Sequence, residues 1–471
     1  MHRAPFFTPA PDWVGDTIPF VHEDTLYVYY LHHRREAIGE GTSWHLLTTT
    51  DLVTWTDHGE VLPHGGPEDE DLNCYTGSVL TDDDGLHHLF STAQNPARTA
   101  PDGRPLQLVA HATSTDLLHW DKQPAHTLGA PEGWDPADFR DPFVHRTAPG
   151  EPWQMLLAAR RSTGPERRRG IVGRLTSTDL QRWEPAAPLW DPRRFLTQEC
   201  PEVFRIGEWW YLVYSEFTDA FVTRYRMSRS PEGPWHAPRH DSLDARSFYA
   251  AKSATWKGRR IFAGWIATRE GRRDDGPWQW AGTLSLLEAV QQADGTLDLR
   301  LPPEVLAADA APVETGLAPT TIAAPTHYEA AVGSHELPSR ATIRAHLRLD
   351  PEGRAGGLLL RTDAEGERGY VLRLEPRAGR MVLDRWPRTV TGTEQWQISG
   401  DVPHLLELER PADLSSPEHR LDLVLEEDLL VAVLDEKVAL STRIYDHPAG
   451  RLGVFAEDAT LSLTDLHVTT A

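Results

Sequence analysis

The chain has 471 residues, 39% hydrophobic residues, 17 tryptophans and a formal net charge of −23. That length supports a large core and more than one domain. The acidic balance argues against nucleic-acid and anionic-membrane partners, both of which call for basic patches. Cys74 and Cys200 are the only cysteines, so no disulfide framework is expected. Met1-His2-Arg3-Ala4-Pro5-Phe6-Phe7 holds no apolar stretch of signal-peptide length, and no apolar run approaches the roughly 18 residues of a membrane-spanning helix. The expectation is a cytoplasmic protein, with the oligomeric state left open.

In chain order, the first notable stretch is Trp13-Val14-Gly15-Asp16-Thr17-Ile18-Pro19-Phe20, an apolar segment carrying one aspartate. Leu26–Leu31 follows as an aromatic, branched strand signal, and Met155–Ala159 and Trp209–Tyr214 repeat that texture. Between such runs a short motif recurs. Thr49-Thr50-Asp51-Leu52-Val53-Thr54-Trp55 returns as Ser114-Thr115-Asp116-Leu117-Leu118-His119-Trp120 and as Ser177-Thr178-Asp179-Leu180-Gln181-Arg182-Trp183, with a looser copy over Ser228–Trp235. Recurrence of a strand cluster without long amphipathic helices predicts an all-β fold with a β-propeller, each motif sealing a blade with a turn and a packed tryptophan. The repeated Asp and Trp therefore read as scaffold.

Near Leu301-Pro302-Pro303 the texture changes. Residues 301–324 are rich in Ala, Pro and Thr and read as a linker. Beyond it, Ala341–Leu349, Tyr370–Leu374 and His419–Leu425 alternate apolar and polar residues with period two, which predicts a β-sandwich. The expected organisation is a propeller over 1–300, the linker, and an accessory sandwich over 325–471.

Two further acidic motifs complete the chemistry. Trp134-Asp135-Pro136-Ala137-Asp138-Phe139-Arg140-Asp141-Pro142-Phe143 contains an Arg-Asp-Pro step whose proline favours an extended Asp141 and whose arginine presents a rigid fork of donors. Gln198-Glu199-Cys200-Pro201-Glu202 lies downstream. Propeller strands converge on an axis, so Asp16, Asp141 and Glu199 can meet from different blades. Cleaving a glycosidic bond needs a proton donor for the leaving oxygen and a carboxylate facing the anomeric carbon. A third carboxylate can hold sugar hydroxyls as positive charge builds on the ring. Asp12 and Asp24 are the rivals to Asp16, in a loop and at a hairpin tip, and Glu202 is the rival to Glu199.

Over nearly all of its first 300 residues the chain resembles glycoside hydrolase family 32, the β-fructofuranosidases. Phe139-Arg140-Asp141-Pro142 is similar to its Arg-Asp-Pro motif, Glu199-Cys200-Pro201 to its Glu-Cys motif, and Tyr75-Thr76-Gly77-Ser78 to its Phe-Ser-Gly-Ser segment. The resemblance implies a five-bladed propeller followed by a β-sandwich, an oligosaccharide substrate and a retaining double displacement. By resemblance, Asp16 is the nucleophile, Glu199 the acid/base and Asp141 the transition-state stabiliser.

The first motif departs from the family's Trp-Met-Asn-Asp-Pro-Asn-Gly, since Gly15 and Thr17-Ile18-Pro19 flank Asp16. The glutamine usually found at the end of the next strand is replaced by Leu31-His32-His33. Hydroxyl contacts near Asp16 must therefore differ. Further substrate-binding candidates are Trp13, Trp44, Tyr75, Thr76, Gln94, Asn95, Arg140, Cys200, Tyr249 and Trp265. For each tryptophan, blade packing is the first expectation. Cys200 is read as a buried neighbour tuning Glu199. The histidine pairs lack metal-ligand spacing, and carboxylate chemistry needs no metal or cofactor. Competing readings are a fructosyltransferase on the same scaffold, an inverting family-43-like furanosidase, and a catalytically silent carbohydrate-binding propeller.

Overall fold

Strands form where the aromatic and branched runs fall, and the computed structural model describes them over residues 2–37, 39–218, 220–387 and 408–471. The chain divides into two compact units: residues 1–243, 248–266 and 280–296 form the first, and 244–247, 267–279 and 297–471 the second.

In the first unit the strands group into five antiparallel blades. The opening strands of these blades are Trp13–His22, Asn73–Thr81, Trp134–His145, Glu199–Ile206 and Phe248–Trp256. They pack side by side in a closed ring, each against the next and the fifth against the first. This is the expected five-bladed propeller. The ring is closed in the backbone by Gly282 of the last blade pairing with Val14 of the first. Apolar layers are shared between neighbouring blades, as where Leu80, Phe90 and Val109 of the second pack with Phe139, Met155, Leu157 and Ile171 of the third.

The recurring motif is the turn between the third and fourth strands of a blade. In the third blade Ser177 Oγ accepts the N–H groups of Asp179 and Leu180 at 3.2 and 2.9 Å, and Asp179 Oδ1 accepts those of Gln181 and Arg182 at 2.9 and 2.8 Å. Asp51 and Asp116 do the same in the first two blades. The leucine of each motif sits at positive φ: 63° at Leu52, 66° at Leu117 and 61° at Leu180. A left-handed leucine costs roughly 1–2 kcal/mol. Burial of each side chain returns roughly 1.5–3 kcal/mol, and all three are buried. Leu180→Ala keeps the strained backbone and loses the burial, so it should destabilise by about 2–5 kcal/mol, read as a shift in the urea midpoint.

The second unit is the β-sandwich. Its final strand, Arg451–Thr470, pairs with Ala355–Thr362 along one half and with Arg340–Leu349 along the other, so one long strand serves both layers. Period-two side chains from the two layers share one core: Leu358, Leu360, Leu372 and Leu374 with Ile343, Ala345, Leu347 and Leu423. Residues 388–407, within the expected sandwich, lie outside the described residues.

Two sequence expectations need correction. The stretch 301–324 is built into the second unit: it holds a short helix, Pro303–Leu306, and the start of strand Thr320–Glu336, with Leu301, Val305, Ile322 and Ala324 buried. Pro302 and Pro303 stand at the start of that helix. Segments 244–247 and 267–279, expected in the propeller, also belong to the second unit. Their buried aspartates explain why: Asp244 accepts the N–H and hydroxyl of Ser441, and Asp274 accepts from Tyr445 N–H and the Tyr370 hydroxyl.

Candidate active site

All five opening strands carry a β-bulge of one extra residue against their neighbours. The irregularities fall between Val14 and Thr17, Tyr75 and Gly77, Arg140 and Phe143, Glu199 and Glu202, and Tyr249 and Lys252. A bulge turns a side chain out of strict alternation and re-aims it. Repeated around a ring, it sends one set of side chains towards the axis at a single level. Asp16, Asp141, Glu199, Tyr75 and Tyr249 all sit at these bulges. Pro142 and Pro201 follow the bulged residue in two blades, where a ladder hydrogen bond is already interrupted.

Asp141 was expected to be extended because a proline follows it. Its φ is instead 59°, matched by 49° at Cys200 and 50° at Ala250 in the same position of the next two blades. The bulge overrides the local preference. Non-glycine residues in this region store strain on the order of 1–3 kcal/mol and need surroundings that impose it. Here Cys200 N–H donates to Asp141 Oδ2 at 2.9 Å, and Asp141 N–H donates to Thr92 Oγ1 at 2.8 Å.

The three carboxylates line the floor of one cavity of about 510 Å³. Arg140 donates through Nη2 to Glu199 Oε1 at 3.0 Å and through Nη1 to Asp138 Oδ1 at 2.7 Å. The Tyr249 hydroxyl donates to Glu199 Oε2 at 2.6 Å. Trp265 Nε1–H donates to Asp16 Oδ1 at 3.1 Å, and the Cys200 thiol approaches Asp16 Oδ2 at 3.8 Å. Burial pushes the Asp16 carboxyl up from its ordinary 3.8 to about 7, reinforced by the charges of Asp141 and Glu199 and opposed by Trp265 and the Lys252 ammonium. Glu199 is also raised, first by burial and then by Asp141, while Arg140 and Tyr249 pull the other way. Burial pushes the Cys200 thiol well up, which leaves it neutral. Lys252 is buried beside this floor and donates to the Gly77 carbonyl at 2.6 Å.

The walls differ in character. Asn73, Gln94 and Gln107 form an amide side, with Asn73 Nδ2–H donating to Gln94 Oε1 at 2.8 Å. Phe217, Phe221 and Trp280 form an aromatic side, and Phe221 stacks on Tyr249 at 3.7 Å.

Of the sequence candidates, the structure brings Asp16, Asp141, Glu199, Tyr75, Gln94, Arg140, Cys200 and Tyr249 to the cavity. Trp265 stands behind Asp16, fully buried. Four candidates lie elsewhere. Trp44 is fully buried, its indole donating to the carbonyls of Cys74 and Tyr75. Thr76 is buried, and its carbonyl accepts from Thr92. Asn95 ties down the carbonyls of Pro67 and Asp69. Trp13 lies under the Arg35 guanidinium at 4.6 Å. Among the rivals, Asp12 pairs with His32 at 3.1 Å, and Glu202 is buried between blades, accepting from Ser253 and Arg260. Sequence reasoning missed His33, Asn73, Gln107, Phe217, Phe221 and Trp280; only the aromatic type of three of them hinted at a sugar-binding wall.

Known proteins resemble this chain in sequence and in fold. A sucrose-6-phosphate hydrolase of Escherichia coli is 28% identical over 306 residues, 61% of this chain and 62% of its own length. A levanbiose-producing levanase of Bacillus subtilis is 27% identical over 271 residues, 54% of this chain and 47% of its own. The chain thus spans under two thirds of the length of these curated relatives. Fructan 1-exohydrolase IIa from Cichorium intybus shares the fold with a TM-score of 0.75 at 17% identity, covering 100% of this chain and 97% of that one. The profile described as Glycosyl hydrolases family 32 N-terminal domain matches residues 6–303, and it matches over the five blades that bring the carboxylates together. The chain belongs to glycosyl hydrolase family 32.

Proposed function

We propose that the protein is a retaining β-fructofuranosidase acting on sucrose or fructo-oligosaccharides. The observation that carries this reading is the convergence of Asp16, Asp141 and Glu199 at three bulges on one cavity floor, with Arg140 and Tyr249 both bonded to Glu199. Asp16 attacks the anomeric carbon as Glu199 gives its proton to the leaving oxygen, forming a fructosyl ester. Glu199 then takes a proton from water, whose oxygen attacks the same carbon and releases Asp16. Two inversions give net retention. Asp141, fixed through Oδ2, offers its other oxygen to the hydroxyls of the fructosyl ring.

The proton needs attention. Asp16 and Glu199 share a cavity and titrate as a pair. Burial raises both carboxyls, with Arg140 and Tyr249 pulling Glu199 the other way, so without substrate the pair shares its last proton. Hydrolysis needs it on Glu199. A docked substrate supplies the reason to move, because its glycosidic oxygen accepts only from a protonated Glu199 and its electrophilic carbon favours an ionised Asp16.

Fructose release from sucrose, kestose, inulin and levan tests the reading, with the product anomer followed by NMR. The expected result is release with retention, and kcat/KM that falls as pH rises through about 7, where the shared proton is lost. No release from any fructoside by folded protein, or an inverted product, would overturn it.

A further inference from the structure

Two departures from the family's pattern meet at one place. Gly15 stands where the family has the first asparagine of its motif, and Leu31-His32-His33 ends the next strand where a glutamine is usual. Trp280, from the last blade, touches both. Its Cη2 lies 2.5 Å from where a Cβ on Gly15 would be, so any side chain at this position would need the space the indole fills. The ring meets His33 edge-on at 4.8 Å between centroids, and it meets Trp265, the donor to Asp16, at 5.9 Å. Arg35 clamps the backbone beneath it, donating to the carbonyls of Trp280 and Ala281 at 3.1 and 3.2 Å. Although held on these sides, the residue is 37% exposed and lines the cavity. An indole braced this closely and still open to a cavity is available to a ligand. Asp16 is the neighbour of Gly15, so a ring whose anomeric carbon faces Asp16 lies beside it.

We propose that Trp280 is the specificity-determining platform for the sugar ring at Asp16. Its indole takes the place of the amide contacts that side chains at position 15 and at the end of the next strand would otherwise make. The inference rests on the furanosidase reading above. The two kinds of recognition differ in what they reject. Amides positioned for a hydroxyl discriminate by orders of magnitude against an analogue that lacks it, because buried polar groups are left unpaired. An indole face binds through area and C–H contact and loses little when one hydroxyl is missing. The substrate class is therefore a furanoside with an apolar face towards Trp280, including analogues lacking a hydroxyl on that face.

A double-mutant cycle tests this with Trp280→Ala, Gly15→Asn and the pair together, on sucrose and kestose. Trp280→Phe serves as the conservative control, and thermal melts check folding. Trp280→Ala should raise KM about ten- to hundredfold with little change in kcat, and Trp280→Phe should recover most of it. Gly15→Asn should show a similar loss because it evicts the indole. The double variant should be no worse than either single one. Multiplying losses, or an unchanged KM in Trp280→Ala while the wild type hydrolyses both sugars, would overturn the platform alone. A folded wild type inactive on every fructoside would instead overturn the reading beneath it.

Discussion

Asp16→Asn should lower kcat for fructose release by about 10⁴-fold or more and at the same time make the protein more stable above neutral pH. The first effect follows from removing the proposed nucleophile, which leaves only binding and electrostatic contributions to the barrier. The second follows from linkage. A carboxyl raised from 3.8 to about 7 contributes stability in its protonated form below its ordinary value, and that contribution is lost as pH rises through about 7. The shift corresponds to on the order of 4 kcal/mol between the protonation states. Asparagine is isosteric, keeps an acceptor for the Trp265 indole and carries no charge to desolvate. Activity measured beside thermal melts at pH 5 and pH 8 checks both, with the gain in Tm expected to be larger at pH 8 than at pH 5. A variant that loses activity and stability together would mean that Asp16 holds the fold, and retained activity would place the nucleophile elsewhere.

Glu199→Gln should lower kcat on sucrose by about 10²–10⁴-fold, the range for one general acid/base. Its signature is dependence on the leaving group. A sugar alkoxide needs a proton as it departs, whereas the fluoride of β-fructofuranosyl fluoride does not. With the fluoride the first step should be largely spared, while the second, which needs Glu199 as base, remains slow. The fructosyl ester on Asp16 should then accumulate and appear as a mass increase of one fructosyl unit on intact protein. Equal losses with both substrates would remove Glu199 from the acid role. Because Arg140 and Tyr249 bond the two oxygens of Glu199, the amide has a neighbour on each side, and the cavity should keep its shape.

What the sequence showed in advance was mostly local. The Asp-Leu turns recur because each solves the same problem, and a buried leucine at positive φ leaves a repeated spelling behind it. Asp141 and Glu199 were visible because proline marks two of the bulges. The walls were less visible. Trp44 and Trp265 are both tryptophans on second or third strands, yet one indole points under Tyr75 and the other at Asp16. Residue type does not carry that distinction, which depends on the neighbouring blade. Trp280 and Gly15 are distant in sequence and become partners only through ring closure. The same limit hid the short segments 244–247 and 267–279, whose texture is that of blade loops and whose buried aspartates bond residues far downstream.

Ring closure also orders events during synthesis. Asp16 is made early, but its indole donor Trp265 and the pairing partner of Val14, Gly282, both lie in the last blade. A growing chain that has produced four blades already holds all three acids, and it has neither the donor nor the neighbour that fixes the first of them. Long-range pairing of this kind is slow to form and late to reward the chain. The complete carboxylate floor is therefore an emergent property of the fifth blade's arrival, and a nascent chain halted before it should be folded in parts and chemically silent.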